Sequence, residues 1–318
     1  MDDLDHLIKL AQNKPDLNFH VYFSYRGFEE KLASDLKRIL FKNNDLIVCE
    51  GPIQSTYWAK NIWKNARFLK IESIGKAAKH LKNIGRNWFP YLMEQSRRTL
   101  LISESLAPIR KKRLVFPCKL PTSLLGGFTL IDKHTMIYSY DCTATIPDGD
   151  FEFEENKTEP PSRAYLKLWE AFTRLGFSPS AEDSCLELGA SPGGWTWVLA
   201  KLGCLVTAVD RAPLEKKLET HPLVTTLKQD AFKVYPEENC RFDWLFSDLI
   251  CYPEKLYSFV QIWIEKYPDM NFVCTIKLQG EEHDQWIEKF AQIPFSQVIH
   301  LYHNKHELTW VRSRKHFR

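Results

Sequence analysis

Apolar positions along the chain follow two rhythms, and the change between them falls near residue 150. In the first part, Phe19-His20-Val21-Tyr22-Phe23 is aromatic and β-branched and predicts a strand. Arg26-Gly27-Phe28-Glu29-Glu30 turns into a helix predicted to run to about residue 40. Leu46-Ile47-Val48-Cys49 predicts the next strand, closed by Gly51-Pro52, so the chain opens as a small α+β unit. Lys60, Lys64, Arg67, Lys70, Lys76, Lys79, Lys82 and Arg86 then fall mostly three or four apart, the spacing of one helical face. Short strands at 114–118, 129–131 and 136–139 follow the basic run Arg110-Lys111-Lys112-Arg113.

Pro147-Asp148-Gly149 and the polar stretch 152–161 read as a linker, which divides the chain into 1–150 and 151–318. Past it, apolar runs alternate regularly between helical and strand periods. Helices are predicted at 163–175, 195–202, 255–267 and 281–292, and strands at 185–188, 205–209, 224–228, 244–247 and 271–277. The end alternates over 297–303 and 307–312 around His303-Asn304-Lys305-His306, an antiparallel hairpin. This order predicts an α/β unit with a mostly parallel sheet.

Composition narrows the class without assigning a function. With 318 residues, 44% hydrophobic and 26% charged, the chain is ordinary for a soluble globular protein and long enough for two cores. A net charge of +3 is mild, so any nucleic-acid contact must come from how charge is distributed. The eight cysteines include no C-x-x-C and sit mostly in apolar runs, which predicts reduced thiols, no zinc or other metal site and no disulfide framework. The acidic start lacks the apolar stretch of a signal peptide, and no apolar run approaches the ~20 residues that span a bilayer. A cytoplasmic protein without membrane contact is expected.

Leu186-Glu187-Leu188-Gly189-Ala190-Ser191-Pro192-Gly193-Gly194-Trp195-Thr196 is the most informative stretch. A buried strand, a glycine turn and a helix start make a nucleotide-sized pocket at the carboxyl end of a strand. Gly189, Gly193 and Gly194 let the backbone turn and approach a ligand, with Ser191 among them. Asp210, Asp230 and Asp248 stand at successive strand ends. Asp210 lies twenty-one residues after Gly189, where an acid accepts from ribose hydroxyls. Asp230 is placed to accept from an adenine amino group, with Phe232 beside the ring. Pro192 removes an amide donor and Trp195 crowds the helix start, so the loop suits an amino-acid tail and not a diphosphate. S-adenosyl-L-methionine is such a ligand.

The stretch from Gly189 through Thr196 is similar to motif I of the FtsJ-like ribose 2′-O-methyltransferases. That resemblance implies a Rossmann-like class I S-adenosylmethionine-dependent methyltransferase fold with a seven-stranded, mostly parallel sheet. It also implies a Lys-Asp-Lys-Glu tetrad, matched by Lys167 in Leu166-Lys167-Leu168, Asp248 in Ser247-Asp248-Leu249, Lys277 in Ile276-Lys277-Leu278 and Glu307 in His306-Glu307-Leu308-Thr309. The chemistry explains such a gathering. A ribose 2′-hydroxyl must lose its proton as it attacks the sulfonium methyl, and a lysine can take that proton only if its pKa falls from ~10.4. A second ammonium and partial burial would lower it. Lys277 is the expected base and Lys167 the neighbouring charge. Asp248 would orient Lys277 and the cofactor end, and Glu307 would hold Lys167 and the ribose. Ser247-Asp248-Leu249-Ile250 is not the (Asn/Asp/Ser)-Pro-Pro-(Tyr/Phe) of amino-methylating enzymes. Pro117-Cys118 lies too far ahead of motif I for base C5 methylation.

Within that superfamily the nearer resemblance is to the bacterial group that methylates a cytidine ribose in 23S ribosomal RNA. It is strongest over about 160–313, notably Leu301-Tyr302-His303-Asn304-Lys305-His306-Glu307-Leu308-Thr309. Arg26-Gly27-Phe28-Glu29 looks like that group's opening R-x-G-F-E segment. The group carries an N-terminal RNA-binding region with a THUMP domain, for which the stretch between about 50 and 130 is short. The expected region is therefore α+β, THUMP-like and incomplete. Its lysines, with Trp58, Trp63 and Trp88 interleaved, would form a phosphate-tracking face, and the tail Arg312-Ser313-Arg314-Lys315-His316-Phe317-Arg318 would add contacts. RNA, from the large ribosomal subunit, is the expected partner. The same chemistry on another RNA is the alternative within the class; a non-catalytic RNA-binding protein retaining the fold and a nicotinamide oxidoreductase are the competing classes, the intact tetrad opposing the first and Pro192 the second.

Overall fold

A computed structural model describes residues 2–14, 17–236, 241–279 and 283–317. They divide into two units, one of Met1–Arg113 with Leu120–Glu152 and one of Leu114–Lys119 with Phe153–Arg318.

The first unit holds α1 (Asp2–Asn13), β1 (Phe19–Ser24), α2 (Glu29–Asp35), β2 (Ile39–Asn43), β3 (Leu46–Glu50), β4 (Ala59–Lys70), α3 (Ile74–Ile84), β5 (Trp88–Pro90), α4 (Ser96–Glu104), β6 (Gly126–Leu130), β7 (Thr135–Ser139) and β8 (Asp141–Cys142). Its sheet runs β2-β3-β1-β4-β7-β6-β5, with β8 beside β4. The long β4 is shared between halves: it pairs with β1 through Ala66 and with β7 from Arg67 to Lys70.

Expectations for residues up to 118 fail at several points, each for a physical reason. α2 stops at Asp35, because Ile39-Leu40-Phe41 enters β2 and pairs with β3 through a turn at Asn44, whose φ is 52°. The stretch 114–118 makes one bridge, Leu114 to Phe153, and Phe116 stacks on Trp169 at 5.0 Å, so no strand forms there. The basic residues share no helical face. Lys60, Lys64, Arg67 and Lys70 stand on β4, where side chains alternate, and only Lys76, Lys79 and Lys82 stand on α3. Lys60 is held by Asp148 at 3.1 Å and Asp150 at 3.3 Å, and Lys64 by Asp141 at 3.2 Å. Trp58, Trp63 and Trp88 are buried in the core and offer no stacking surface.

The second unit holds α5 (Tyr165–Leu175), β9 (Ser184–Leu188), α6 (Gly194–Lys201), β10 (Leu205–Asp210), α7 (Lys216–Glu219), β11 (Val224–Lys228), β12 (Trp244–Ser247), α8 (Pro253–Lys266), β13 (Asn271–Lys277), α9 (His283–Ala291), β14 (Ser296–Ile299) and β15 (Glu307–Arg312). The order is β11-β10-β9-β12-β13-β15-β14, and only β15 runs against its neighbours. This is the seven-stranded, mostly parallel, Rossmann-like sheet that the sequence leads one to expect. Strands covered on both faces read as apolar runs, and β13 is buried from Phe272 to Ile276. α6 packs on β9 and β10 with α5 against it; α8 packs on β13 with α9 against it. The C-terminal segment is partly core: Arg312 is buried and donates to the carbonyls of Pro268 (2.8 Å) and Met270 (3.1 Å). That guanidinium secures the loop before β13, which corrects its expected place in a phosphate-binding tail. Among the described residues no helix is long and apolar enough to cross a membrane. The described cysteines are free thiols, and Cys240 lies outside the described residues.

A buried acid locks β9 to α6. Glu187 is 2% exposed, and Thr196 Oγ1 donates to its Oε2 at 2.6 Å. Burial pushes its carboxyl up to about 8, against the Thr196 hydrogen bonds and with the Asp248 and Asp210 charges. An unfolded glutamate titrates near 4.3, so between about pH 4.3 and pH 8 the folded chain keeps a proton that the unfolded chain has lost. This residue's contribution to stability therefore falls as pH rises through that window. Glu187→Gln keeps an acceptor for Thr196 and removes the titration. Its Tm relative to the unmutated protein is expected to rise from about pH 5 to about pH 8; a difference independent of pH would mean that Glu187 is ionised in the fold.

Candidate active site

The carboxyl ends of the central strands carry the expected site residues in a row. After β9, Gly189 N and Ala190 N both donate to Val209 O, at 2.9 and 3.2 Å, and turn the chain over β10. Gly189 has φ 77°, and a Cβ there would lie 2.8 Å from Leu249 Cδ2, so the turn requires glycine. Asp210 ties this loop to β10: its Oδ2 accepts from Ser191 N at 3.0 Å and its Oδ1 from Ala212 N at 2.9 Å. Ser191 Oγ donates to Pro213 O at 2.8 Å. Pro192 has no N–H, and its carbonyl accepts from Glu215 N at 3.0 Å. Gly193 caps α6 with φ 111°, and a Cβ on it would enter the Leu218 side chain. Gly194 opens the helix against the Ser162 hydroxyl. Trp195 is buried, its indole N–H donates to Ala164 O at 2.9 Å, and its ring lies edge-on to Phe246. That ring packs α6 against the start of α5 and against β12.

Asp230, behind β11, caps a single turn of 3₁₀ helix. Its Oδ1 accepts from Phe232 N at 3.0 Å and its Oδ2 pairs with Arg211. The backbone bond first, then Arg211, hold this carboxyl below its ordinary range. The Phe232 ring lies under the Lys255 ammonium at 3.8 Å.

Four charges meet at the other end of the row. Asp248 follows β12, Lys277 ends β13, and Glu307 begins β15 directly opposite Lys277. Lys167 reaches them from α5. Lys277 Nζ donates to Asp248 Oδ1 at 2.7 Å and to Glu307 Oε2 at 2.6 Å. Lys167 Nζ lies 3.1 Å from Asp248 Oδ2 and pairs with Glu307 Oε1. Ammonium and carboxylate thus alternate around a closed ring, with side-chain exposures from 8% at Glu307 to 19% at Asp248. The four residues nominated from the sequence are brought together.

The electrostatics differ from expectation on one point. Burial does pull the Lys277 ammonium down, but Asp248 and Glu307 are both bonded to it and hold it above the usual lysine value. Its pKa is not depressed in this state. Burial pushes Asp248 up, and Lys167 and Lys277 overcome that push and hold it below the usual carboxylate range. The ring can offer a hydroxyl both donor and acceptor, and its short charge-assisted bonds can relay a proton.

Sequence reading missed Glu170. It is fully buried on α5, and its carboxylate accepts from Tyr302 N at 2.7 Å, His303 N at 3.0 Å and Arg174 Nε at 2.8 Å. The available signal was an acid three residues after Lys167 inside the apolar run Leu168-Trp169-Glu170-Ala171-Phe172. Leu249 was missed too; it walls the glycine turn, and no motif marks it.

Residues 160–261 match the family described as FtsJ-like methyltransferase. The ribosomal RNA large subunit methyltransferase M of Laribacter hongkongensis is 32% identical over 169 residues, covering 48% of this chain and 47% of its own. The protein of the same name from Pseudoalteromonas atlantica is 30% identical over 224 residues, covering 63% of this chain and 62% of its own. The chain spans about half the length of the first curated relatives it matches. Among solved structures, the fibrillarin of Aeropyrum pernix with natively bound S-adenosyl-L-methionine covers 46% of this chain and 74% of its own at 15% identity and a TM-score of 0.35. The stretch that carries Lys167, the glycine turn and Asp248 is thus similar to FtsJ-like methyltransferase domains.

Proposed function

We propose that this chain is an S-adenosylmethionine-dependent RNA methyltransferase that methylates a ribose 2′-hydroxyl, on a cytidine of 23S ribosomal RNA, in the cytoplasm. The observation that carries the reading is the closed ring of Lys167, Asp248, Lys277 and Glu307 beside a glycine turn of FtsJ-like type. The name of the relatives, ribosomal RNA large subunit methyltransferase M, supports the choice of large-subunit ribosomal RNA.

The chemistry of the strand ends fits S-adenosyl-L-methionine. Asp210, Asp230 and Asp248 are acceptors that suit hydroxyls, an amine and a positive charge. A diphosphate would find few donors, because Pro192 has no N–H and Arg211 is tied to Asp230. When bound, the cofactor supplies a sulfonium methyl group open to attack by an oxygen. Asp210 would hold its ribose and Asp230 with Phe232 its adenine. Gly189, Ser191, Pro192, Gly193 and Gly194 would wrap the amino-acid tail, with Trp195 supporting the loop from behind, and Asp248 would face the charged end.

Lys167 and Glu307 would hold the acceptor ribose, and Lys277 would take the hydroxyl proton. Lys277 starts as an ammonium, so its own proton must leave first. Glu307, bonded at 2.6 Å, is the acceptor in place for it. Lys277, once neutral, receives the 2′-hydroxyl proton on Nζ as the oxygen attacks, and alignment of the reacting atoms lowers the rest of the barrier. In the first unit, the THUMP-like reading assigns RNA contact to the exposed Lys79, Lys82 and Arg86 and not to Lys60 or the buried tryptophans.

Three outcomes follow. Lys277→Met lowers kcat by on the order of 10²–10⁴ while cofactor affinity stays within about twofold, measured by methyl transfer and calorimetry; unmutated turnover would remove Lys277 from the base role. Lys79→Glu with Lys82→Glu weakens RNA binding and flattens the slope of log K against log salt by about 0.7–0.9 per lost contact; an unchanged slope would take α3 out of the interface. A ribose-methylation map of total RNA from cells lacking the gene loses one 23S cytidine mark; identical maps would contradict the proposed activity.

A further inference from the structure

Three members of the ring take their places from the sheet. Asp248, Lys277 and Glu307 sit at the ends of β12, β13 and β15, which are adjacent strands. Pairing fixes Lys277 opposite Glu307, and parallel register fixes Ser247 beside Cys274. Lys167 has no such guarantee. It is carried by α5, and a rotation of that helix by one residue swings a side chain by about 100°, off the ring altogether. Something must fix α5 against the strand ends.

We infer that Glu170 is the positioning residue that sets Lys167 in the ring, by docking α5 on the segment that leads into Glu307. Glu170 lies three residues after Lys167, so both side chains leave the same face of the helix. Its two carboxylate oxygens take two successive backbone N–H groups, Oε1 from Tyr302 and Oε2 from His303, at 2.7 and 3.0 Å. Those amides precede Glu307 by five and four residues. The turn between is short and tied: Asn304 N donates to Leu301 O at 3.0 Å, and Asn304 Nδ2 donates to Thr309 Oγ1 at 3.3 Å. Arg174, one turn further along α5, donates to Glu170 Oε1 at 2.8 Å and pairs its charge. The carboxylate is fully buried, so water cannot replace either amide. A bidentate grip on two consecutive amides fixes both the height and the rotation of the helix, which a single bond or an apolar contact would not.

This inference rests on the ring being the methyl-transfer site, yet the bracing itself can be read without catalysis. Glu170→Gln keeps size and one acceptor but presents an NH₂ group to the second amide. Lys167 should then leave Asp248, and the Asp248 carboxyl should bind its proton at least about threefold more tightly. The readout is ¹³C-carboxyl NMR of aspartate-labelled protein, with Lys167→Met as the reference for the direction of change. A purely structural loss would lower Tm and leave that titration where it was. In methyl transfer, Glu170→Gln is expected to lose about tenfold or more in kcat, with cofactor affinity within about twofold. If the variant does not fold, the unmutated protein still decides: the Tyr302 and His303 amides should exchange with deuterium as slowly as those of β15. An Asp248 titration identical to that of the unmutated protein, or fast exchange at both amides, overturns the inference. If the unmutated protein transfers no methyl group, the catalytic reading falls, and the titration and exchange alone judge Glu170.

Discussion

Lys277 and Glu307 face each other across the last rung between β13 and β15, and their bond closes a circuit of four charges. Taking charges out of water is unfavourable unless each finds partners of opposite sign. Around this ring every ammonium touches two carboxylates and every carboxylate two ammoniums, so the four can sit at 8–19% side-chain exposure. The arrangement tolerates no gap, because removing one member leaves a poorly solvated charge uncompensated. It therefore closes only if β12 and β13 end side by side, β15 begins opposite Lys277 and α5 brings Lys167 alongside.

The rest of the site follows from the sheet. Chain order reverses direction between β9 and β12, and the crevice at such a switch point is where α/β sheets take ligands. On one side, β11, β10 and β9 end in Asp230, Asp210 and the glycine turn, the residues proposed to hold the methyl donor. On the other, β12, β13 and β15 end in the charged ring, suited to a hydroxyl. Asp248 stands between them and belongs to both. Under the proposed function, this order would set the methyl donor beside the acceptor hydroxyl, which in-line transfer from sulfur to oxygen needs.

Sequence alone reached furthest where a period or a motif acts locally. The alternation of helix and strand beyond 160, the glycine turn and the four ring residues are all readable, since the turn, Asp248, Lys277 and Glu307 sit at strand ends with clear apolar runs and Lys167 in the apolar-periodic helix ahead of them. It failed where distant chain decides. Spacing by three or four placed the basic residues on one helix, although Lys60 to Lys70 form a strand whose partners are β1 and β7. Trp58, Trp63 and Trp88 looked available for stacking because nothing nearby shows that the core closes over them. Glu170 passed unnoticed because its amide partners lie 132 and 133 residues away. The direction of the Lys277 shift was misjudged for the same reason. A neighbouring ammonium can be inferred from a motif, but the closer pair of carboxylates outweighs it only once distances are known.

Under the proposed function the methyl group goes to a ribose oxygen and not to a base. Incubating the protein with methyl-labelled S-adenosylmethionine and 23S ribosomal RNA, then hydrolysing the RNA in alkali, tests this directly. A 2′-O-methyl group blocks cleavage at its own phosphodiester, so the label is expected in an alkali-stable dinucleotide. Label recovered in a mononucleotide, on the base, would contradict it.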